Sequence, residues 1–213
     1  MKEGVQMLLS YLESNYKIGE PIFTIDIQMN GLSEANKRQQ IKKLVDAGKL
    51  MRFDNGVYYF PKKTRLKGVI GLSADVVAQH KYIERNGMHF GFYAGHTLAN
   101  YLGLSTQVPV KKEIVSNNMS AIVREVSVGS FTYVVRKPLV RITESNYKVL
   151  QLLELLKDLN EYADNEPELV RNQLVKYIHN NKIHRNEVDL YISKYPLKTY
   201  KYIYEMRLDN VFV

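Results

Sequence analysis

Cysteine is absent from the 213-residue chain, which excludes disulfides, thiolate nucleophiles, iron-sulfur clusters and cysteine zinc sites together. Long apolar runs are absent as well. No uninterrupted stretch approaches the roughly 20 residues of a membrane span. The opening MKEGVQMLLSYLESNYK carries acids and no small-residue cleavage site, so the expected location is the cytoplasm, with no membrane partner. P-loop, GxGxxG and GxSxG patterns are missing. The five histidines, His80, His89, His96, His179 and His184, lack the i, i+4 pairing with carboxylates that a helical zinc site uses. Gly129-Ser130 resembles the Gly-Ser opening of nucleotidyltransferase sites. Residues 131–142 hold no paired carboxylates for Mg²⁺, however, so the dipeptide reads as a hairpin turn. Asp158, Glu161, Asp164, Glu166 and Glu168 read as a helix end and a solvated loop. The expectation is no cofactor, no metal and no catalytic residue.

What is present is an ordinary globular composition, 45% hydrophobic and 24% charged, with a formal net charge of +8. The positive charge is concentrated at the front. Residues 1–67 carry twelve Lys or Arg against seven Asp or Glu, and the remaining two thirds carry eighteen against fifteen. The length suits two domains, expected over residues 1–67 and 68–213.

Val5, Leu8, Leu9 and Leu12 recur at helical spacing and predict a first helix over residues 2–14. A short second helix is expected from Thr24, as its cap, to Asn30-Gly31. Ser33 is a good N-cap for a third helix over residues 34–47, with Ile41, Leu44 and Val45 facing inward. Residues 50–53 and 57–60 are two apolar runs around Asp54-Asn55-Gly56, a strong hairpin signal. Helix, turn, helix and hairpin in this order read as a winged helix-turn-helix, and the implied partner is duplex DNA.

A basic connector, KKTRLK at residues 62–67, leads on. Helices are expected over residues 74–85, stopped by Asn86-Gly87, and over 94–102. The β-branched runs at 108–115, 121–128, 131–136 and 139–142 predict a small, mainly antiparallel sheet within residues 106–142. A long helix over 145–162, with Val149, Leu152, Leu153, Leu156 and Leu159 on one side, and three shorter ones complete an α+β chain, the helices lying within residues 145–206.

A helix that enters the major groove needs side chains able to pair with base edges. Asn36, Gln39 and Lys43 fall opposite Ile41, with Gln40 at the margin, and these four are the base-contact candidates. Ser33, Lys37, Arg38 and Lys42, at the helix start and flanks, are candidates for phosphate. Arg52 and Asn55 on the hairpin reach the backbone or minor groove. One module buries only about 600 to 1,000 Å² on DNA, so occupancy calls for two copies on paired half-sites, by self-association or cooperative binding. In the tail, Tyr191, Tyr195, Tyr200, Tyr202 and Tyr204 alternate with Lys194, Lys198, Lys201 and Arg207. Such a pattern can stack on single strands, but half-buried packing is the commoner use.

The N-terminal domain, then FYAGHTLANYLGLSTQVP at residues 92–109, the strands, and NYKVLQLLELLKDLNEY together resemble the AbiEi family of antitoxins from bacterial abortive-infection systems. The resemblance implies a type IV toxin-antitoxin system. In it the front domain represses the shared operon at inverted repeats. The second domain counteracts a nucleotidyltransferase-like toxin without a stable complex. Within that implication Arg124, Arg136, Lys137 and Arg141 are the basic positions assigned to the antitoxin surface. Two other readings stand beside it. One is a winged-helix regulator whose larger domain binds a protein or ligand outside any toxin system. The other is a nucleic-acid-modifying enzyme, which would need a metal-binding carboxylate pair.

Overall fold

Val5, Leu8, Leu9 and Leu12 build the first element. In a computed structural model describing residues 3–63 and 69–213, they line one face of α1 (Glu3–Asn15) and are each at most 4% exposed. Each such burial contributes about 1.5–3 kcal/mol. α1 is followed by β1 (Ile22–Phe23), α2 (Glu34–Asp46), β2 (Met51–Asp54) and β3 (Val57–Tyr59). The three strands form a sheet in the order β1-β3-β2, with both pairs antiparallel. The Ser33 hydroxyl accepts from Asn36 N at 3.3 Å and caps α2, while Ile41 and Leu44 pass into a core shared with α1, Ile22, Ile27 and Leu50. Gly56, at φ +74, makes the tight turn between β2 and β3.

The expected second helix is corrected to a single 3₁₀ turn, Thr24–Asp26. Thr24 is not its cap but its first residue: extended Phe23 holds the cap position, and no side chain caps the turn. After the turn Ile27 enters the core in an extended conformation, while Ile25, inside the turn, is exposed.

β4 (Lys62–Lys63) and β5 (Val69–Ile70) pair in antiparallel fashion. The rest of the expected connector, with the expected boundary after Lys67, lies outside the described residues. By contact density the chain forms two compact units, one running to Ala78 with Val128–Ser130, the other comprising Gln79–Ser127 and Phe131–Val213.

The remaining elements are α3 (Ala74–Tyr82), β6 (Glu84–Arg85), β7 (Met88–His89), β8 (Gly91–Tyr93), α4 (Gly95–Tyr101), β9 (Lys112–Ser116), β10 (Val123–Val128) and β11 (Phe131–Arg136). They are followed by α5 (Tyr147–Lys157), α6 (Leu159–Tyr162), α7 (Pro167–Asn180), α8 (Arg185–Ile192) and α9 (Leu197–Glu205). The class is α+β. Asn86-Gly87 turns the β6-β7 hairpin instead of stopping a helix, so α3 ends three residues earlier than expected. A four-stranded sheet has the order β10-β11-β9-β8, in which β8 is antiparallel and β11 parallel to β9. Residues 139–142 are not a strand: the Asn117 side chain takes both Ile142 N and Ile142 O, at 3.0 and 2.7 Å. The expected long helix is broken at Asp158 into α5 and α6. The core of this unit is α5, whose Val149, Leu150, Leu152, Leu153, Leu155 and Leu156 are buried among α4 and the last helices. Among the described residues no helix is long and apolar enough to cross a membrane.

Candidate nucleic-acid interface

α2 divides its surface by helical periodicity. Ile41 and Leu44 are buried, and Ser33, Asn36, Arg38, Gln39, Lys42 and Lys43 are exposed. Two expected contacts are placed elsewhere. Lys37 is 4% exposed, and its ammonium donates to Glu34 Oε1 at 2.7 Å and Thr24 O at 3.2 Å. It ties the 3₁₀ turn to α2 and has no charge left for a phosphate. The same ion pair holds the Glu34 carboxyl below its usual range. Gln40 lies against Gly4 of α1, where a Cβ would stand 3.2 Å from its amide nitrogen. Its Oε1 is buried without a partner among the described residues, so this amide belongs to the α1-α2 contact.

The hairpin tip is held by its own side chains. Arg52 donates to Asn55 Oδ1 at 3.2 Å and Asp54 O at 3.3 Å, and Asn55 N donates to Asp54 Oδ1 at 2.6 Å. Between tip and helix lies a cleft lined by Thr24, Arg38, Asn55, Gly56 and Tyr58. Thr24, expected from the sequence as a helix cap, and Tyr58 are not among the DNA contacts that the sequence leads one to expect.

In the second unit Arg124, Lys137 and Arg141 are exposed. Arg136 is not a surface cation. It lies 3.1 Å from Glu154 Oε1 and 3.4 Å from Glu113 Oε2, and the Glu154 side chain is only 5% exposed. Burial alone would lower the Arg136 pKa, but Glu154, Tyr162 and Glu113 hold it above the usual value. Lys157 joins Glu154 at 2.6 Å, Lys198 pairs with Asp158, and Glu113 accepts His96 N at 3.0 Å at the start of α4. This network ties β9, β11, α4, α5 and α9 together. The Asp164 carboxylate fixes the loop after α4 by accepting from Ser105 Oγ at 2.9 Å and Thr106 N at 3.0 Å. His89 sits between Glu84 and Glu144, at 3.2 and 2.9 Å, and stacks on Tyr147 at 3.8 Å. Among the described residues no group of three or more His, Asp or Glu could hold a metal. In the tail Tyr195 and Tyr202 are buried, Tyr191 and Tyr200 pack on the core, and Tyr204 is exposed.

Burial pushes the Tyr162 hydroxyl from 10.0 up to about 12 and raises Tyr177 and Tyr195 as well. Between pH 10 and about 12 the folded unit therefore keeps a proton at Tyr162 that the unfolded chain has lost. Stability is expected to fall as pH rises through that window. Urea denaturation at stepped alkaline pH checks this, and Tyr162→Phe should flatten part of the slope; a slope unchanged in that variant would refute the assignment.

A family model described as DUF6088, a family of unknown function, matches residues 12–185. No curated protein matches the chain.

Proposed function

The chain belongs to the DUF6088 family, and from the exposed face of α2 we propose that it is a sequence-specific DNA-binding repressor whose first unit is a winged helix-turn-helix. The observation that carries the reading is Asn36, Gln39 and Lys43 standing exposed on a capped helix whose opposite face is buried, beside a hairpin. Amide and ammonium groups of this kind pair with purine edges in the major groove. The element order, with β1 paired to β3, supports the winged-helix assignment, the 3₁₀ turn standing where a second helix is usual. Arg38 and Lys42, four residues apart on one flank of that face, hold phosphate, and two copies occupy paired half-sites.

The resemblance of residues 92–109 to AbiEi antitoxins supports a second role for the larger unit, counteracting a nucleotidyltransferase-like toxin encoded beside it without a stable complex. Arg124, Lys137 and Arg141 are its exposed basic positions.

The test is titration of the protein against the DNA upstream of its own gene, beside a shuffled duplex, at two salt concentrations. Tight operator binding that survives competitor is expected; equal, weak and salt-sensitive binding to both would remove the repressor reading. Gln39→Ala and Lys43→Ala are expected to lower discrimination between the two duplexes by about 1–3 kcal/mol, whereas Lys42→Ala weakens both alike and reduces the salt slope by about one. Equal losses on both duplexes for all three would refute the assignment of α2.

A further inference from the structure

We propose that the cleft between α2 and the β2-β3 turn seats a single phosphodiester of the duplex backbone, held by Arg38 with Thr24 and Asn55. The proposal rests on the reading of α2 as the DNA-facing helix. Of the five residues lining the cleft, Thr24, Arg38, Asn55 and Tyr58 carry side-chain donors, Gly56 has no side chain, and no carboxylate is among them. Of the acids near it, Glu34 is paired with Lys37, and Asp54 accepts from Asn55 N.

The donors are also prepared. Asn55 Oδ1 already accepts from Arg52, so the group that Asn55 has left to offer is its NH₂. Thr24 is fixed at both ends of its peptide, N to Gly56 O at 2.9 Å and O to Lys37 Nζ at 3.2 Å, leaving its hydroxyl for a ligand. A Cβ on Gly56 would stand 3.1 Å from that hydroxyl, so the glycine keeps the cleft open as well as making the turn. One guanidinium matches the single negative charge of a phosphodiester, whereas a free dianionic phosphate would call for more than one cation. Arg presents a planar fork suited to two phosphate oxygens. A phosphate seated here is held from the helix that also presents Asn36, Gln39 and Lys43, and so sets the register in which they meet the base edges.

The experiment uses operator duplexes in which one phosphate at a time is replaced by a neutral methylphosphonate, scanned through a half-site. Each is titrated with the wild-type protein, Arg38→Ala and Lys42→Ala. One position per half-site is expected to weaken the wild type about tenfold or more, the loss for a hydrogen bond to a charged group. At that position Arg38→Ala should lose less than about twofold, because its phosphate contact is already gone, while Lys42→Ala keeps the full sensitivity. Arg38 is exposed, so circular dichroism of the variant should match the wild type. If the wild type binds the operator but Arg38→Ala stays as sensitive as the wild type at every position, the phosphate seat is overturned and the DNA reading stands. If the wild type binds no duplex, both fall.

Discussion

Gly91→Ala is expected to unfold the second unit or to lower its stability by about 4 kcal/mol or more, the range reserved for a single named structural fault. Gly91 opens β8 opposite Ser116 of β9, and its N–H donates to Ile83 O at 3.0 Å. A Cβ there would stand 2.8 Å from Val115 O and closer still to Tyr82 O. Both obstacles are backbone carbonyls, so no side chain can rotate away, and relief requires moving β8 off β9 or off the end of α3. Overpacking against side chains commonly costs about 1–3 kcal/mol; overpacking against two fixed peptides should exceed it. Gly71→Ala is the control. It has an ordinary φ, is exposed, and the nearest group to its Cβ would be the Tyr59 hydroxyl at 3.8 Å. Urea denaturation followed by circular dichroism should show the control within about 0.5 kcal/mol of wild type. A Gly91→Ala protein equally close to wild type would show that β8 does not pack as described.

Gly91 also marks where sequence reading stopped. α1, α2, their inner faces, the Ser33 cap and the Asn55-Gly56 turn are all local patterns, set by residues within one or two turns of one another, and all were legible. β8 was not, because its three residues are held by β9 partners more than twenty positions away and begin with a glycine that no strand propensity favours. Asn86-Gly87 carried the same hairpin signal as Asn55-Gly56. In the sequence it reads as a helix stop because it directly follows the helix expected over residues 74–85. The 3₁₀ turn at Thr24 was hidden for a related reason: its backbone is claimed by Gly56 and Lys37, thirty-two and thirteen residues away.

The exposed face of α2 followed from the helical wheel, and the same wheel holds the signal that was missed. Lys37 lies four residues before Ile41 and Gln40 four before Leu44, one turn along the buried stripe, so both belong on the inner side. Their polarity argued for solvent, but position prevailed, with Glu34 and Thr24 O satisfying the Lys37 ammonium. For Arg136 no sequence signal exists. Its partners Glu113 and Glu154 are twenty-three residues before and eighteen after it, and only the fold brings them together.

Glu154→Ala is expected to lower the stability of the second unit by about 3–5 kcal/mol, with a drop in apparent Tm of roughly 10 °C. The carboxylate is almost wholly buried and faces two cations, Arg136 at 3.1 Å and Lys157 at 2.6 Å. Removing it leaves Arg136 with Glu113 at 3.4 Å as its remaining carboxylate, while Arg136 Nε is already buried without a partner among the described residues. Breaking one member of a buried pair is expensive because the other charge stays desolvated, whereas an exposed pair contributes about 0–1 kcal/mol. Lys111–Glu125, at 2.6 Å with both side chains about half exposed, is the internal comparison, and Glu125→Ala should be close to neutral. Arg136→Ala should resemble Glu154→Ala, since it strands Glu154 beside a single lysine. In a test of the proposed antitoxin role an Arg136 variant would thus report on folding first, whereas Arg124, Lys137 and Arg141, exposed, can be substituted to probe the proposed surface directly. Equal, small losses for Glu154→Ala and Glu125→Ala in the same denaturation series would remove the buried network as a source of stability and return Arg136 to the surface set.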